Sequence, residues 1–247
     1  MAVCRIKGEK GADTSCMEEI IISRGEAAEY AEFKRQKRMT EVCRLLLKLE
    51  CDLTGIPPEE TASAAKACKD GGFGFVRVNP LQVSCVRQIA TLPVICVAEE
   101  VYSDLKTKVT AVRQAFKNGA DEVVMTLAGG KEVKKEVKRL KKASRGKRIC
   151  FRIGDLSRIR DKSCLAGLPI ATAIEEDALE SAKLLGGGTL TVEGAMGSVE
   201  VKRLFEDGAD RVATADYQRV AKELFDEANR PEAFESSAQS VDGAPSS

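Results

Sequence analysis

The chain has 247 residues, of which 43% are hydrophobic and only 4% aromatic, so its core must be built mainly from Val, Ile, Leu, Ala and Cys. Its 39 basic and 38 acidic residues leave a formal charge of +1, which excludes a global field attracting nucleic acid or an anionic membrane. No apolar run reaches the roughly 18 residues of a membrane span, and residues 1–11 lack the apolar segment of a secretory signal.

Histidine is absent, which excludes the Ser-His-Asp and Cys-His mechanisms. The nine cysteines include no CxxC pair, and several stand within apolar runs. We therefore expect reduced, buried thiols in a cytoplasmic protein, with no zinc or other metal site and no cofactor.

Residues 1–44 are interpreted as an N-terminal arm followed by an extra helix, because residues 26–44 lack Gly and Pro and are rich in Ala, Glu, Lys and Arg. Residues 229–247 are rich in Ser, Ala, Pro and Gly and predict a disordered tail.

Between these ends, residues 45–228 contain eight short apolar runs, each followed by a helical pattern. The predicted strands are 45–53, 75–78, 93–98, 122–127, 148–153, 169–174, 190–193 and 211–213. A helix-Gly-Ala-Asp-strand pattern occurs twice, in residues 116–127 and 205–215. It predicts that a helix ends at Gly119 and another at Gly208, each with the glycine in the left-handed backbone conformation.

Eight βα units at this length predict an α/β protein with a single (β/α)8 TIM barrel. The alternative is an open doubly wound sheet. No GxGxxG follows the first predicted strand to support that alternative with a dinucleotide site.

Several strings in residues 45–228 resemble the deoxyribose-phosphate aldolase family, which are (β/α)8 barrels that work through a lysine Schiff base. They are Asp-Leu-Thr at 52–54, Phe-Val-Arg-Val-Asn-Pro at 75–80, Gly-Ala-Asp-Glu-Val at 119–123 and Gly-Ala-Asp-Arg-Val at 208–212. The resemblance implies a metal-independent carbon–carbon lyase that acts on a small phosphosugar, deoxyribose 5-phosphate.

The catalytic residues implied by this resemblance are replaced here. The sixth-strand lysine aligns with Ala171, the seventh-strand lysine with Thr191 and the fourth-strand Asp with Val124. No slip of the alignment brings a lysine into the sixth or seventh strand, since the nearest are Lys162, Lys183 and Lys202.

The phosphate-binding site implied by the resemblance is weakened as well. The Gly-Gly after the seventh strand becomes Gly194-Ala195, and the Ser that begins the last helix becomes Asp216. A carboxylate at a helix N-terminus repels a second anion.

Catalytic groups of such barrels lie at the carboxyl ends of the strands, and several polar residues stand there. They are Asp52, Arg77, Asn79, Glu99, Arg152, Thr172, Glu193 and Thr214. Arg77 and Arg152 either bind an anionic ligand or pair internally with Asp52 or Glu193, and Asn79 favours a helix-entry cap over a ligand contact.

Two functions remain open. The first is a non-catalytic barrel with a small anionic or phosphorylated ligand, for which Arg77, Asn79, Arg152, Thr172, Gly194 and Thr214 are the candidate ligand-binding residues. The second is a working lyase with a displaced lysine, or with carboxylate chemistry at Asp52, Glu99 or Glu193.

Membrane binding is not expected, nucleic acid is not favoured, and a homo-oligomer stays open. The segment Lys131–Arg148 has a net charge of +8, with its charges at helical spacing between Val and Leu. We interpret it as a solvated outer helix and leave polyanion binding as the alternative.

Overall fold

The computed structural model describes residues 4–6, 20–22, 24–98, 104–127, 129–130, 132–153, 159, 161–174, 180, 182–183, 185 and 188–231. Eight parallel strands in this part of the chain close into a barrel. They are β3 Leu49–Asp52, β4 Phe75–Val78, β5 Val94–Ala98, β6 Glu122–Thr126, β7 Arg148–Arg152, β8 Ile170–Ala173, β9 Leu190–Glu193 and β10 Arg211–Thr214. Their order around the barrel is β10-β3-β4-β5-β6-β7-β8-β9. The predicted TIM barrel is confirmed.

Seven α-helices are found in the described residues. They are α1 Arg24–Leu46, α2 Pro58–Asp70, α3 Val83–Ile89, α4 Leu105–Lys117, α5 Val133–Ser144, α6 Ser198–Glu206 and α7 Tyr217–Asn229. A short 3-10 helix, Lys162–Leu165, precedes β8. The helix expected to start at Asp155 lies outside the described residues, as does most of the one expected over 175–185.

The chain divides into two compact units, one of residues 42–224 and one of residues 1–41 with 225–247. The first unit holds the barrel. In the second, β1 (Cys4–Ile6) pairs antiparallel with β2 (Ile20–Ile22), and Arg38 donates to the Ala228 carbonyl. The expected tail falls outside the described residues from residue 232 onward.

The first barrel strand is shorter than predicted because its apolar start belongs to a helix. Leu45 and Leu46 complete the last turn of α1, and Leu46 is buried there. Leu47 and Lys48 form the turn into β3, whose first residue is Leu49. An apolar run cannot by itself distinguish a buried helix end from a buried strand.

The repeated Gly-Ala-Asp motif joins a helix end to the neighbouring strand, and the predicted left-handed glycines are confirmed. Gly119 has φ +105° and Gly208 has φ +95°, a region that glycine enters without steric cost. The Asp121 carboxylate accepts from the Val94 backbone N–H at 2.8 Å. The second copy repeats this contact, with Asp210 accepting from the Leu190 N–H at 2.8 Å.

Candidate functional site

Arg77 is a buried residue of the barrel that pairs with glutamates from two other strands. It is the third residue of β4 and is wholly buried. Its Nη2 donates to Glu193 Oε1 at 2.5 Å, and its Nε lies 3.4 Å from Glu50 Oε2. Burial alone would lower the pKa of this guanidinium, but the carboxylates of Glu193 and Glu50 outweigh that cost and raise the pKa above its usual value.

Glu193 links Arg77 to the mouth of the barrel. It is the last residue of β9, and its second carboxylate oxygen, Oε2, lies 2.8 Å from Nε of Arg152 at the end of β7. The side chains of Arg152 and Glu193 are 21% and 17% exposed. The network therefore reaches solvent at the end where (β/α)8 barrels bind their ligands.

A second group of charges lies at the opposite end, where the strands begin. Arg211 Nη1 donates to Glu122 at 2.9 Å and to Glu50 at 3.2 Å, and its guanidinium lies 4.1 Å from the centre of the Phe75 ring. Arg148 pairs with Glu122 at 2.8 Å. Burial raises the pKa of Glu50 despite the opposing charges of Arg77 and Arg211.

Four arginines and three glutamates thus connect one end of the barrel to the other, with Arg77 and Glu50 as the link. The sequence indicated Arg77, Arg152 and Glu193, but four members were missed. They are Glu50, Glu122, Arg148 and Arg211. The sequence feature that could have identified these four residues is a single charged residue within, or at the start of, a short apolar strand.

One part of the interior is apolar. Ile95, Val97, Val124, Cys150 and Ala171 form one buried cluster, against which a partly buried Phe75 packs. Two of the positions that the resemblance assigns to catalytic residues, Val124 and Ala171, lie in this cluster. Because Cys150 is deeply buried, the pKa of its thiol is raised well above the ordinary value.

The third aligned position, Thr191, is also buried. It is the register neighbour of Ala171, and its hydroxyl lies 3.5 Å from Glu50. All three aligned positions therefore face the barrel interior, and none of the eight barrel strands, which lie wholly within the described residues, contains a lysine.

Two predicted residues make local turn contacts. Asp52 Oδ1 accepts from the N–H and hydroxyl of Thr54, at 3.0 and 2.6 Å. Asn79 Oδ1 accepts from the backbone N–H groups of Leu81 and Gln82, which lead into α3. These contacts form an Asx turn before α3, whose N-cap residue is Gln82 rather than Asn79.

The remaining predicted residues are spread around the carboxyl ends of the strands. The Thr214 hydroxyl donates to the Ala195 carbonyl at 2.5 Å and accepts from the Asp216 N–H, which fixes the turn after β10. Thr172 is buried in β8, and Gly194 has φ +100°. Glu99 lies outside the described residues.

Among the described residues one lysine is buried, and it lies outside the barrel strands. Lys108 of α4 donates from Nζ to Glu136 of α5 at 2.6 Å and to the carbonyl of Thr126 at 3.0 Å. No sequence pattern indicated this pair, since both residues stand among the many charges of two amphipathic helices. Its contacts tie α4, α5 and the end of β6 together.

Among the described residues, no group of three or more His, Cys, Asp or Glu side chains could hold a metal ion. The described helices also include none that is long and apolar enough to cross a membrane.

Solved structures with the same architecture include aldolases. A structure named "QR15, an Aldolase" is 19% identical with a TM-score of 0.63, covering 74% of this chain and 96% of its own. A tetrameric deoxyribose phosphate aldolase from Aeropyrum pernix is 16% identical with a TM-score of 0.64, covering 79% and 97%. The fold is that of an aldolase-like TIM barrel.

This fold is shared more widely. The N-acetylmannosamine-6-phosphate 2-epimerase of Clostridium perfringens is 16% identical with a TM-score of 0.54, covering 72% of this chain and 91% of its own. No protein-family model and no curated protein sequence matches the chain.

Proposed function

We propose that the chain is a non-catalytic, aldolase-like barrel that binds a small anionic or phosphorylated ligand at its mouth. The observation that carries this proposal is the interior of the barrel. The position aligned with the Schiff-base lysine is a buried Ala171 in an apolar cluster, and no barrel strand supplies a lysine in its place. A Schiff base requires an amine, so the absence of a lysine from the barrel strands supports a non-catalytic interior.

The carboxylates at the mouth are already engaged. Both oxygens of Glu193 are held by arginines, and one oxygen of Asp52 is held by Thr54. A general base must meet the proton that it abstracts within hydrogen-bonding distance. The contacts therefore support a structural role for these two carboxylates over a catalytic one.

The arginines support an anionic ligand. Arg77 Nη1 is buried and has no hydrogen-bond partner among the described residues. Arg152 lies nearer the mouth and is partly exposed. A guanidinium presents a planar fork that matches carboxylate and phosphate oxygens, and a buried unpaired N–H is costly unless a ligand or water satisfies it. The aldolase-like fold supports a phosphosugar as the class of ligand.

Borohydride reduction tests the catalytic half of the proposal. The protein is incubated with deoxyribose 5-phosphate or acetaldehyde, reduced, and measured by intact mass. We expect no adduct, with circular dichroism confirming that the barrel is folded. A mass increase at one lysine would overturn the proposal and restore a working lyase with a displaced nucleophile. The Lys108→Met variant would then show whether the buried lysine of α4 is that nucleophile.

Calorimetric titration with deoxyribose 5-phosphate and with inorganic phosphate tests the binding half. We expect binding to the wild type and at least a tenfold loss in Arg152→Met, since a charge-assisted pair contributes about 1.5–3 kcal/mol. Arg203→Met, at an exposed position of α6, is the matched control and should bind like the wild type. Equal affinities in all three proteins, or no binding to any of them, would refute the assignment of the mouth as an anion site.

A further inference from the structure

The outer face of α5 carries only positive charge. Six of its twelve residues are buried, and all of the others are exposed lysines or arginines. The exposed residues are Lys134, Lys135, Lys138, Arg139, Lys141 and Lys142. The single acidic residue of the helix, Glu136, points inward and pairs with Lys108. No acidic side chain of α5 therefore offsets the charge of its exposed face.

The neighbouring helix extends this surface. α4 packs against α5 and contains no Asp or Glu. Its exposed charged residues are Lys106, Arg113 and Lys117, and its exposed uncharged residues are Thr and Gln. We call the exposed basic residues of the two helices the α4–α5 basic face. It concentrates nine positive charges in a chain whose total formal charge is only +1.

Few of these charges are neutralised within the protein. Among the described residues, the ion pairs of this face are Lys134 with Asp161 at 3.7 Å and Lys135 with Glu132 at 3.0 Å. Both lysines are mostly exposed, and such pairs contribute little. Lys138, Lys141 and Lys142 make no ion pair with another residue in the described part of the chain. Like charges this close raise the free energy of the protein, and an external polyanion would relieve that repulsion.

The side chains of the α4–α5 basic face favour one class of binding partner over others. None of the exposed large hydrophobic side chains in the described residues lies on α4 or α5. A protein interface needs an apolar centre, and a membrane-binding helix needs an apolar face to insert, whereas the apolar face of α5 is buried against the barrel. An interface with a nucleic-acid backbone is instead polar and strongly positive.

We infer that the α4–α5 basic face binds the phosphate backbone of a nucleic-acid duplex without reading its sequence. Lysines three or four residues apart on α5 are separated by about 4.5–6 Å along the helix axis, which allows successive side chains to reach neighbouring phosphates. The face has no exposed aromatic side chain on which an unpaired base could stack, and this favours a duplex over a single strand. The near-zero net charge of the whole chain conceals this local surface.

The test uses the full chain and a fluorescent 20-base-pair duplex of mixed sequence, with affinity measured by anisotropy from 25 to 200 mM NaCl. We expect the logarithm of the association constant to fall steeply with the logarithm of the salt concentration, with a slope of about −3 to −5. A second, unrelated duplex sequence should bind with the same affinity within about threefold, since phosphate contacts carry no sequence information.

A matched pair of triple variants separates this face from general surface charge. Lys138→Gln/Lys141→Gln/Lys142→Gln removes three charges from the basic face. Lys66→Gln/Lys69→Gln/Lys222→Gln removes three exposed charges from α2 and α7. We expect the first variant to bind at least tenfold more weakly at 50 mM NaCl and to lose about 2 to 3 from the magnitude of the salt slope. The second should remain within about twofold of the wild type.

Three outcomes would overturn the inference. They are the absence of duplex binding at 25 mM NaCl, an affinity that does not depend on salt, and equal losses in the two triple variants. Vesicles containing phosphatidylserine are measured in parallel. Binding to the vesicles without binding to the duplex would refute the nucleic-acid assignment and identify an anionic membrane as the partner.

Discussion

Arg77→Met tests whether the internal charge network holds the barrel together. Methionine approximates the aliphatic part of the arginine side chain, so the change removes the guanidinium with little change in volume. It leaves Glu50, which is 1% exposed, with Arg211 as its remaining ion-pair partner, and it leaves Glu193 with Arg152. Both carboxylates stay in place after their shared cation is gone.

Removing one partner of a buried pair typically costs about 3–5 kcal/mol, because the other charge is left uncompensated. We expect a loss in this range at pH 7, because Arg77 is wholly buried and contacts two carboxylates. For a domain of this size, about 1 kcal/mol corresponds to a 2–4 °C change in Tm. The variant should therefore melt roughly 10 °C below the wild type.

The loss should depend on pH through Glu50. Burial raises the pKa of this carboxyl, and Arg77 is the largest opposing influence, so removing Arg77 raises the pKa further. A carboxyl whose pKa is higher in the folded state than in the unfolded state binds its proton more tightly when folded. Its destabilising effect is absent below the unfolded pKa of about 4.3 and grows as pH rises through the folded pKa. The difference between variant and wild type should therefore be smaller at pH 5 than at pH 8.

Urea unfolding followed by circular dichroism at pH 5, 7 and 8 measures this difference. The double variant Arg77→Met/Glu50→Gln should recover about 1–2 kcal/mol at pH 8, since the uncompensated charge is removed. Arg219→Met, in an exposed pair with Asp216, is the control and should unfold like the wild type. A loss below about 1 kcal/mol in Arg77→Met, or one that is equal at pH 5 and pH 8, would refute the network's structural role.

Three further predictions concern packing and reactivity. Lys108→Met should lower the free energy of unfolding by about 3 kcal/mol, measured with urea. The change leaves the largely buried Glu136 carboxylate and the Thr126 carbonyl without their lysine partner. Gly74→Ala should cost about 2 kcal/mol or more, because a Cβ would lie 1.9 Å from a backbone oxygen, whereas Gly55→Ala meets no atom within 4 Å and should cost far less. Cys43, which is exposed, should react with a thiol reagent at pH 8 in the folded protein, and Cys150 only after unfolding, as followed by peptide mass spectrometry.

Each of these predictions has an outcome that would contradict it. Equal stabilities of Lys108→Met and Lys106→Met, the exposed neighbour, would show that the buried pair contributes nothing. Similar losses in the two glycine variants would mean that the close contact at Gly74 is relieved by a backbone shift. Modification of Cys150 at the same rate as Cys43 would show that the barrel interior opens readily to solvent.

Hydrophobic periodicity predicted most of this fold because each barrel strand is a short apolar run that ends at a turn residue. β9 was predicted residue for residue, and β6 was predicted to within one residue at its end. The first strand, β3, was started too early because its apolar beginning continues the last turn of α1. Periodicity reports burial, and the end of a helix can be buried as fully as a strand.

The candidate site was less predictable because pairing across the barrel is not local in sequence. Arg77 and Glu193 are 116 residues apart, and the sequence offered their pairing only as one alternative to anion binding. Glu122 was missed because one acidic residue at the start of a strand also fits an exposed strand end, and Glu50 was missed because its strand was predicted to start at residue 45. Whether such a residue is buried or exposed depends on the closed barrel, because alternate positions of each strand face its interior.

The network also limits what the mouth of the barrel can bind. An anion that approaches Arg152 competes with Glu193, which already holds Nε of that residue at 2.8 Å. A ligand with a single negative charge would only replace the internal ion pair of Arg152 by an external one, so the exchange would add little binding free energy. A phosphate carries up to two charges and three acceptor oxygens, so in the proposed site it would offer Arg152 more than the single internal pair that it displaces. For the anion site that we propose, the internal pairs therefore favour phosphorylated ligands over simple carboxylates.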